Sequence, residues 1–417
     1  MNACTLPERA RRAIAECRRI ATMSEEPDRT TRRFLTPPVR EVHALLRERM
    51  EGLGMTMRVD AAGNLRGLWQ PPRSRARRLG DKRLILGSHI DTVPNAGAFD
   101  GVLGVVLALE CVEIAQELKL PLPMEIIAFS EEEGMRFGVP FIGSRAAAGR
   151  FDSALLKLKD ADGMTMDGAM RGFGLDPGEI EKATVAEDAL GFFEVHIEQG
   201  PVLDAENLRV AAVTAIVGQS RHTLTWTGHA NHAGTTPMHL RRDALAGAAE
   251  WIVFVELYAR RMEGLVATVG QVDAKPNVAN VIANAVQVSL DVRHARDGEL
   301  VSAVESLFAQ AETIATRRGL TLARARQMDQ PAVPMDERLT AFLAEAIEAT
   351  GLPVKRMPSG AGHDAMVMAA CVPTAMLFLR SPGGISHHPD ETVLEEDVAA
   401  ALEVCRRFLE RLAAEVG

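Results

Sequence analysis

The stretch that decides the fold reads LILGSHIDTVPNAGAFDGVLGVVLALECVEIAQELKLPLPMEIIAFSEEE and spans residues 84–133. It begins with a short apolar run, Leu84–Ser88, which predicts a buried strand. Gly101–Leu118 is mostly apolar, and its length favours a buried helix. Glu125–Phe129 predicts the next strand. This order forms a β-α-β unit, which predicts a parallel sheet with a right-handed crossover.

Polar residues follow both predicted strands. His89 and Asp91 come after the first strand, and Ser130 and Glu131 come after the second. Open α/β sheets bind their ligands outside the carboxyl ends of the strands. The stretch therefore predicts a functional site at the carboxyl end of an α/β sheet.

Segments along the chain supply side chains that bind metal ions in hydrolases. They read GSHID (87–91) with Asp100-Gly101, EEEG (131–134), HIEQG (196–200) and GISH (384–387). Each segment alone is a weak signal, but together they offer the nitrogen and oxygen donors that divalent metals accept. The combination predicts a two-metal hydrolase. Its candidate ligands are His89, Asp100, Glu133, His196 and His387.

His89 and Asp91 form a His-x-Asp pattern at the predicted strand end. A ligating histidine usually donates its second ring N–H to a carboxylate or a carbonyl, so Asp91 is a candidate orienting residue. Asp100 stands at the start of the predicted helix, where its two oxygens can bridge two cations. Helix N-capping is the alternative explanation for Asp100 alone.

Three adjacent carboxylates, Glu131, Glu132 and Glu133, follow the second strand. They repel one another unless a cation or a proton neutralises them. Because successive side chains diverge, Glu133 can bind a metal while Glu132 faces the open site as general base. An exposed acidic turn is the alternative.

The remaining histidine candidates also have structural alternatives. His196 follows a predicted strand, Phe192–Val195, where a lone histidine is more often structural. His387 and His388 are neighbours in a loop rich in Gly and Pro, and the residues alone do not choose between them.

The middle of the chain has a different pattern. Its predicted elements follow the ferredoxin-like order β-α-β-β-α-β. They indicate an inserted α+β domain at residues 213–328, between the two parts of an α/β catalytic domain at 1–212 and 329–417. The sheet of the catalytic domain is expected to be mixed but largely parallel, with helices on its faces. Residues 150–190 predict irregular structure or short helices. The predicted elements of the inserted domain are a strand at 221–228, a helix at 242–262, strands at 265–273 and 278–293, a helix at 297–317 and a strand at 320–326.

Three polar residues of the inserted domain are further candidates. His232 lies in GHANHAGTTP (228–237). Asn280 and Arg293 fall on one predicted strand at an odd spacing, which puts them on opposite faces unless the strand bends. Arg293 suits a bidentate clamp on a carboxylate. A surface salt bridge is the alternative.

Composition and charge argue against several classes of function. The 417 residues are 47% apolar and 25% charged, which is ordinary for a soluble globular protein of two domains. A net charge of -9 gives little support for nucleic-acid binding. No run approaches the ~20 apolar residues of a membrane span. The basic run at residues 73–83 is interpreted as a solvated loop rather than a binding patch.

The cysteines indicate the compartment. There are five, an odd number, and none stands in a C-x-x-C pair. This pattern predicts free, mostly buried thiols in a reducing environment. The N-terminal residues have no apolar signal core, so the expected location is the cytoplasm.

Together the motifs resemble the amidase family of the hydantoinase/carbamoylase type. The motifs are GSHIDT, EEEGMRFG, HIEQGP, HAGTTPM, SGAGHDAM and GGISH, and the similarity runs from residue 60 to residue 391. That family contains N-carbamoyl-L-amino acid hydrolases, β-ureidopropionases and allantoate amidohydrolases. It is more distantly similar to aminoacylases and dinuclear zinc exopeptidases.

The resemblance implies two divalent metal ions per subunit, Zn or Mn, with Co or Ni as alternatives. Asp100 would bridge the two ions, and Glu132 would be the general base. The implied ligands of one ion are His89, Asp100 and His196. The implied ligands of the other are Asp100, Glu133 and His387. The implied substrate-binding residues are Gln199, His232, Asn280, Arg293, Gly383, Gly384 and Ser386.

The resemblance also implies a homodimer in which the inserted domain serves as lid and dimerisation domain. His232 would reach the neighbouring subunit's site and stabilise the developing oxyanion, while Arg293 would hold the substrate carboxylate. The small-molecule substrate would be a ureido-carboxylate, with no nucleic-acid or membrane partner. The implied reaction is metal-assisted hydrolysis of a ureido bond, which releases ammonia and carbon dioxide.

Residues 358–391 are most similar to allantoate amidohydrolases, which places allantoate slightly ahead as the substrate. An N-carbamoyl-L-amino acid, or the substrate of a β-ureidopropionase, comes second. Aminoacylase-like or dipeptidase-like activity comes third. A metal-dependent binding protein that reuses the scaffold is the non-enzymatic alternative.

Overall fold

The computed structural model describes residues 4–72, 82–185 and 189–416. Most of the basic run at residues 73–83 therefore lies outside the described residues.

The strands are β1 Thr56–Val59, β2 Leu65–Trp69, β3 Leu84–His89, β4 Met124–Phe129, β5 Gly191–Ile197, β6 Val210–Ile216, β7 Gly218–Thr227, β8 Val266–Thr268, β9 Val272–Lys275, β10 Ala285–His294, β11 Thr321–Gln330, β12 Val333–Pro334, β13 Arg356–Ser359 and β14 Thr374–Leu379.

The helices connect these strands, and some short turns of 3₁₀ helix lie among them. Within the described residues, none of the helices is long and apolar enough to cross a membrane. The helices are α1 Leu6–Ala21, α2 Pro37–Gly52, α3 Val102–Glu117, α4 Ile142–Ala147, α5 Met166–Gly172, α6 Val202–Ala205, α7 Ala244–Ala259, α8 Asp297–Arg318, α9 Glu337–Ala349, α10 Asp364–Met368 and α11 Glu395–Val416.

Contacts divide the chain into two compact units. The first unit runs up to Thr214 and resumes at Met335, and the second is Ala215–Pro334. Each unit has its own hydrophobic core.

The first unit is built on a mixed sheet flanked by helices. The strand order is β1-β2-β4-β3-β5-β14-β6-β12, with β13 also paired to β6. The four central strands β4, β3, β5 and β14 are parallel to one another. The outer pairs β1-β2, β2-β4 and β14-β6 are antiparallel. The expectation of a largely parallel sheet therefore applies to the centre of this sheet.

The central strands are buried on both faces, which explains their continuous apolar sequences. Every residue of β3, β4, β5 and β14 is buried. Helix α3 is apolar on nearly all sides, as expected of a helix enclosed by other elements. Residues 102–112 of this helix are all buried, and Glu110 is the one charged residue among them. Glu110 forms ion pairs with Arg9 and Arg12.

The strand order places four chain segments at one end of the sheet. From β3 the chain crosses through α3 to β4 on one side, while β5 pairs with β3 on the other side. This is a topological switch point, where open α/β sheets bind ligands. The segments that follow β3, β4, β5 and β14 contain the candidate residues.

The second unit is an antiparallel sheet with two helices. Its strand order is β11-β7-β10-β8, and β9 also pairs with β10. Burial alternates along β7 and β10, as in a sheet with one covered face. The core includes Trp226, Trp251 and Leu307, and the Trp251 indole N–H donates to the Leu307 carbonyl at 2.8 Å.

Two strand predictions in this unit were wrong in their bounds. The strand predicted at 265–273 is two short strands, β8 and β9, and the strand predicted at 278–293 begins only at Ala285. Asn280 therefore lies in a turn before β10 rather than on it. The reason is that the main chain around Asn280 bonds elsewhere: the Ala233 amide donates to the Asn280 carbonyl, and the Ile282 amide donates to the Asn231 carbonyl.

The described part of the segment at 150–190 forms short helices up to residue 183, namely α5 and 3₁₀ turns at Ser153–Lys157 and Pro177–Ala183; residues 186–188 lie outside the described residues. All five cysteines lie in the described residues and are free. Cys17, Cys111 and Cys405 are buried, and Cys4 and Cys371 are partly buried.

Candidate metal centre and active site

Two buried histidines stand at the carboxyl ends of neighbouring strands. His89 ends β3, and His196 is the penultimate residue of β5. Their rings stack with centroids 5.8 Å apart. Each ring has its Nδ1 against a main-chain carbonyl, of Asp91 at 3.0 Å and of Ile197 at 2.9 Å. These bonds place the proton on Nδ1 and leave both Nε2 lone pairs free to bind a metal.

Asp100 lies in front of both free nitrogens. Its Oδ1 is 3.3 Å from His196 Nε2 and 3.8 Å from His89 Nε2. Asp100 is not the N-cap of α3, because Gly101 takes that position. Gly101 has φ 68°, and a Cβ there would come within 2.4 Å of the His89 ring. Glycine is required at 101 so that Asp100 can approach the histidine.

The three consecutive glutamates point in different directions. Glu131 turns inward, and its carboxylate accepts hydrogen bonds from the amides of Phe34 and Arg136. Glu132 and Glu133 remain near His89, with ligand atoms of the three residues within 4.8 Å of one another. The acidic turn is thus largely buried rather than exposed.

Asp91 organises this turn more than it orients His89. Its carboxylate accepts from the Glu132 amide and from the Glu133 amide, each at 3.0 Å. Its Oδ1 is 3.6 Å from His89 Nδ1, whereas its main-chain carbonyl is closer. The carboxylate expected to hold the histidine therefore holds the two glutamates, because their adjacent amides both face it.

His387 completes a second group with Asp100 and Glu133. Its Nε2 is 3.1 Å from Asp100 Oδ2 and 3.4 Å from Glu133 Oε1. Its side chain is 48% exposed, unlike those of the strand histidines. The neighbouring His388 points elsewhere, toward Asp390.

Gln199 and Ser386 lie beside these ligands. Gln199 Nε2 donates to the two oxygens of Asp100 at 3.2 and 3.1 Å, and it is 3.3 Å from Ser386 Oγ. Gln199 Oε1 is buried and has no hydrogen-bond partner within the described part of the chain. This arrangement leaves an acceptor available for a ligand.

Gly383 and Gly384 shape the loop that carries Ser386 and His387. The Gly383 amide donates to Asp204 at 3.0 Å. A Cβ at Gly384 would come within 2.9 Å of Pro201, and φ there is 66°. The loop therefore packs closely against the turn that follows β5.

Three of the site segments each contain a non-glycine residue in the left-handed region. These residues are Glu131 (φ 50°), Gln199 (φ 58°) and His387 (φ 55°). Such conformations cost energy and occur preferentially at functional sites.

The donor groups fit divalent metal ions. Groups whose ligand atoms lie within 4.8 Å of one another include His89, Asp100 and His196, and also Asp100, Glu133 and His387. Asp100 belongs to both, as a bridging ligand would. His196 Nε2 is buried, makes no hydrogen bond with the described residues and faces the Asp100 carboxylate. A lone pair that faces a carboxylate is stabilised when a cation lies between them.

The pKa values of the candidate ligands are shifted in different directions. Burial lowers the pKa of His196 to about 4. Burial opposes charge on His89 as well, but its contacts with Asp100 and Asp91 raise its pKa well above the ordinary value. The contact with Asp100 raises the pKa of His387 to about 9. Burial raises the pKa of Glu133 to about 7.

Glu132 has the properties of a proton acceptor held in a dry site. It is buried, and burial followed by the nearby charges of Glu133, Asp364 and Asp91 raises its pKa well above the ordinary value, although His89 opposes the shift. A carboxyl group with a raised pKa holds a transferred proton better than a free one.

The sequence reasoning gave no role to a buried polar layer next to His196. Glu194 accepts from Ser88 Oγ at 2.7 Å and from the Ala365 amide at 2.9 Å. The ring of His363 meets that of His196 edge to face, with centroids 4.4 Å apart. Asp364 is fully buried, and burial raises its pKa well above the ordinary value. The motif SGAGHDAM contained the only signal for the last two residues.

The other three candidates lie in the second unit. The main chains of His232 and Asn280 are brought together, since His232 forms an isolated β-bridge with Val281. The His232 side chain is exposed, and its Nδ1 accepts from the Gly234 amide at 3.0 Å. Arg293 lies on β10 and pairs with Asp291 at 3.0 Å.

The chain belongs to the peptidase family M20/M25/M40, whose family model matches residues 85–411. More narrowly, it is an amidohydrolase of the carbamoylase and allantoate amidohydrolase kind, as the resemblance of the motifs predicted. It is thus a hydrolase that acts on carbon–nitrogen bonds.

Three proteins that are similar to this chain illustrate its assignment to this family. An N-carbamoyl-L-amino acid amidohydrolase from Geobacillus stearothermophilus is 37% identical over 92% of this chain and 93% of its own length. An allantoate deiminase from Arabidopsis thaliana is 34% identical over 95% of this chain and 81% of its own. The crystal structure of a hydantoinase/carbamoylase family amidase from Burkholderia multivorans has a TM-score of 0.88 at 31% identity, covering 97% of this chain and 98% of that one.

Proposed function

We propose that this protein hydrolyses a ureido C–N bond of a small ureido-carboxylate and releases ammonia and carbon dioxide. Allantoate is the first candidate substrate. The observation that carries the proposal is the pair of ligand groups that share Asp100 next to the buried Glu132. This is the arrangement that metal-assisted hydrolysis requires.

Two divalent cations, zinc or manganese, would be held by the two ligand groups, with Asp100 between them. When bound, they would polarise the ureido carbonyl and lower the pKa of water. The residues that would hold them are His89, Asp100, Glu133, His196 and His387.

Glu132 moves the proton in this proposal. It takes a proton from the attacking water and delivers it to the leaving nitrogen, so that no free ion has to form. Asp91 fixes the amides of Glu132 and Glu133, and it thereby orients both carboxylates. Its role is positioning rather than proton transfer.

The substrate would be oriented by groups on both units. In the first unit, the proposed contacts are Gln199, Ser386 and the main chain of Gly383 and Gly384, and the first two lie beside Asp100. Gln199 Oε1 suits a ureido N–H, because it is a buried acceptor without a partner in the described residues. In the second unit, the proposed contacts are His232, Asn280 and Arg293.

The second unit would act as lid and dimerisation domain of a homodimer. Arg293 would hold the substrate carboxylate, which fixes the orientation of the ureido group. His232 would act in the neighbouring subunit's site and stabilise the oxyanion, which is typically worth ~3–4 kcal/mol. Lid closure would exclude water from the reaction.

An N-carbamoyl-L-amino acid is the second candidate substrate. It is favoured by the relative from Geobacillus stearothermophilus, whose name carries that substrate and whose identity of 37% is no lower than that of the allantoate deiminase. The allantoate proposal rests instead on the similarity of residues 358–391. Aminoacylase-like activity and metal-dependent binding without catalysis are the remaining alternatives.

Ammonia release tests the proposal directly. Metal-stripped protein is assayed with allantoate and with N-carbamoyl-L-amino acids, before and after addition of Mn²⁺ or Zn²⁺. We expect metal-dependent release from allantoate. A preference of more than ~10-fold in kcat/KM for the carbamoyl amino acids would reverse the order of the substrates. No release from any of them would contradict the proposed reaction.

Mixed dimers test the shared site. His232→Ala subunits are combined with Glu132→Gln subunits, each nearly inactive as a homodimer. If His232 acts in the neighbouring subunit, one site of the mixed dimer receives both intact residues and activity returns. Absence of recovered activity in a verified mixed dimer would contradict the shared site.

A further inference from the structure

Glu391 connects two segments of the candidate metal centre, although no sequence motif assigned it a role. Its side chain is buried, with 5% exposure. Its Oε1 accepts from the Phe99 amide at 2.9 Å and from the Asp100 amide at 3.0 Å. Its Oε2 accepts from Ser386 Oγ at 3.2 Å. One carboxylate thus joins the loop before α3 to the loop that carries His387.

The loop before α3 is built closely around this carboxylate. A Cβ at Gly97 would come within 2.4 Å of Glu391 Cβ and within 2.5 Å of its Oε1. Only glycine at this position lets the main chain pass so near. Two main-chain amides donate to one carboxylate oxygen, which ties both of them to the same side chain.

The two joined segments meet at the proposed second cation. Asp100 Oδ2 is 3.1 Å from His387 Nε2, and these atoms come from residues far apart in the sequence. His387 stands on an exposed loop, so the local main chain does not by itself fix its distance to Asp100. Glu391 supplies a fixed point for both, since it holds the Asp100 amide and the hydroxyl of the residue before His387.

We propose that Glu391 is a positioning residue of the metal centre. It holds the main chain of Asp100 against the Ser386–His387 loop, so that both ligands face the same cation. This inference rests on the proposed function, because it presumes that Asp100 and His387 bind a metal. Glu391 itself touches neither substrate nor metal in this role.

The test measures metal affinity rather than activity. Mn²⁺ is titrated calorimetrically into metal-stripped wild type, Glu391→Ala and Glu391→Gln. We expect Glu391→Ala to weaken binding about 10–100-fold, as is typical when a group that holds a ligand is lost. Glu391→Gln keeps an oxygen for the two amides, so we expect its affinity to lie much closer to that of wild type.

Asp397→Asn is the matched control for a buried carboxylate in the same unit. Asp397 is buried, and its ion-pair partners among the described residues are Arg380 at 2.8 Å and Arg209, neither of which is a candidate ligand. We expect this variant to melt at a lower temperature but to bind Mn²⁺ as wild type does. Equal weakening in Asp397→Asn and Glu391→Ala would overturn the proposal, because general loosening of the fold would then explain both.

Gly97→Ala supplies a second, independent variant if Glu391→Ala does not fold. Its added methyl group displaces Glu391 without removing any carboxylate, and we expect weaker Mn²⁺ binding. Wild-type affinity in the folded Glu391 and Gly97 variants would overturn the role of Glu391 alone. No Mn²⁺ binding by wild type would overturn the proposed metal centre, and with it this inference.

Discussion

The two halves of the candidate metal centre are held in different ways. His89 and His196 stand on adjacent strands, are almost fully buried and stack on each other. Glu133 and His387 stand on turns, and the His387 side chain is 48% exposed. The register of the sheet alone positions His89 and His196, which form the strand-borne half. The loop-borne half, Glu133 and His387, depends on hydrogen bonds that its main chain and neighbouring groups donate to other side chains, such as the carboxylates of Asp91 and Glu391.

The candidate histidines also differ in the charge that they carry before a metal binds. Burial lowers the pKa of His196 to about 4, so this imidazole is neutral at pH 7. The contact with Asp100 raises the pKa of His387 to about 9. Against the effect of burial, contacts with Asp100 and Asp91 raise the pKa of His89 well above its ordinary value, so metal binding would displace protons from both halves.

The largest expected effect concerns Glu132, which lies on the loop-borne side but binds no metal in the proposal. Glu132→Gln should lower kcat about 10³-fold, because it removes the proton acceptor and keeps the shape. Mn²⁺ affinity and thermal stability should stay near those of wild type. Glu131→Gln is the matched control, since that neighbour faces Phe34 and Arg136. A wild-type kcat in Glu132→Gln would remove Glu132 from its proposed role.

The second-largest expected effect is a difference between the halves in how much each one stabilises the fold. His196→Ala should lower the free energy of unfolding of the metal-free protein by about 2–4 kcal/mol, because it leaves a cavity among buried rings. His387→Ala should cost less than His196→Ala, because that ring is 48% exposed and its loss leaves no closed cavity. Urea unfolding of both variants measures the difference. Equal losses of unfolding free energy in the two variants would show that both halves contribute equally to stability.

A smaller effect concerns the support of the loop-borne half. Asp91→Ala leaves the Glu132 and Glu133 amides without their acceptor, which should lower the free energy of unfolding by about 1–3 kcal/mol. Metal affinity should fall as well, because Glu133 loses its fixed main chain. Asp91→Asn keeps one acceptor oxygen and should lie between wild type and the alanine variant. Unchanged Mn²⁺ affinity in Asp91→Ala would argue against the proposal that Asp91 holds Glu133 in position to bind the metal.

The smallest expected effect is the pH dependence of metal binding. Above about pH 7, Glu133 is increasingly ionised, while His387 and His89 still release protons when a cation binds. Affinity for Mn²⁺ should therefore rise between pH 7 and 9, by up to about tenfold per pH unit for each proton released. Calorimetry at several pH values measures the slope. His387→Asn should make the slope shallower, and a flat wild-type profile between pH 7 and 9 would contradict the assignment.

The strand-borne half was the more predictable from the sequence. His89 and His196 follow apolar runs whose length and pattern indicate buried strands, and parallel strands bring their carboxyl ends together. The grouping of Asp100, Glu133 and His387 depended on a resemblance of motifs, because long-range contacts between turns leave no periodic signal.

The remaining differences have local physical causes. Asn280 appeared to lie on the strand of Arg293, but its main chain bonds to the segment around His232 instead. Asp91 contacts His89 through its main-chain carbonyl, while its carboxylate accepts from two adjacent amides, which the sequence did not predict. Glu391 was missed because its partners are amides of residues nearly three hundred positions away, as Phe99 is. Main-chain donors carry no signature in a sequence.

The left-handed conformations of Glu131, Gln199 and His387 have a consequence for laboratory evolution. Each costs about 1–2 kcal/mol relative to glycine, which adopts such angles freely. Selection for heat resistance alone would favour glycine wherever this gain exceeds the contacts of the side chain. At His387 and Gln199 such a change would delete a candidate metal ligand or its neighbour, whereas at Glu131 it would also leave the Phe34 and Arg136 amides without their acceptor. Selection rounds that alternate heat with turnover should instead keep all three residues and accumulate stabilising changes elsewhere.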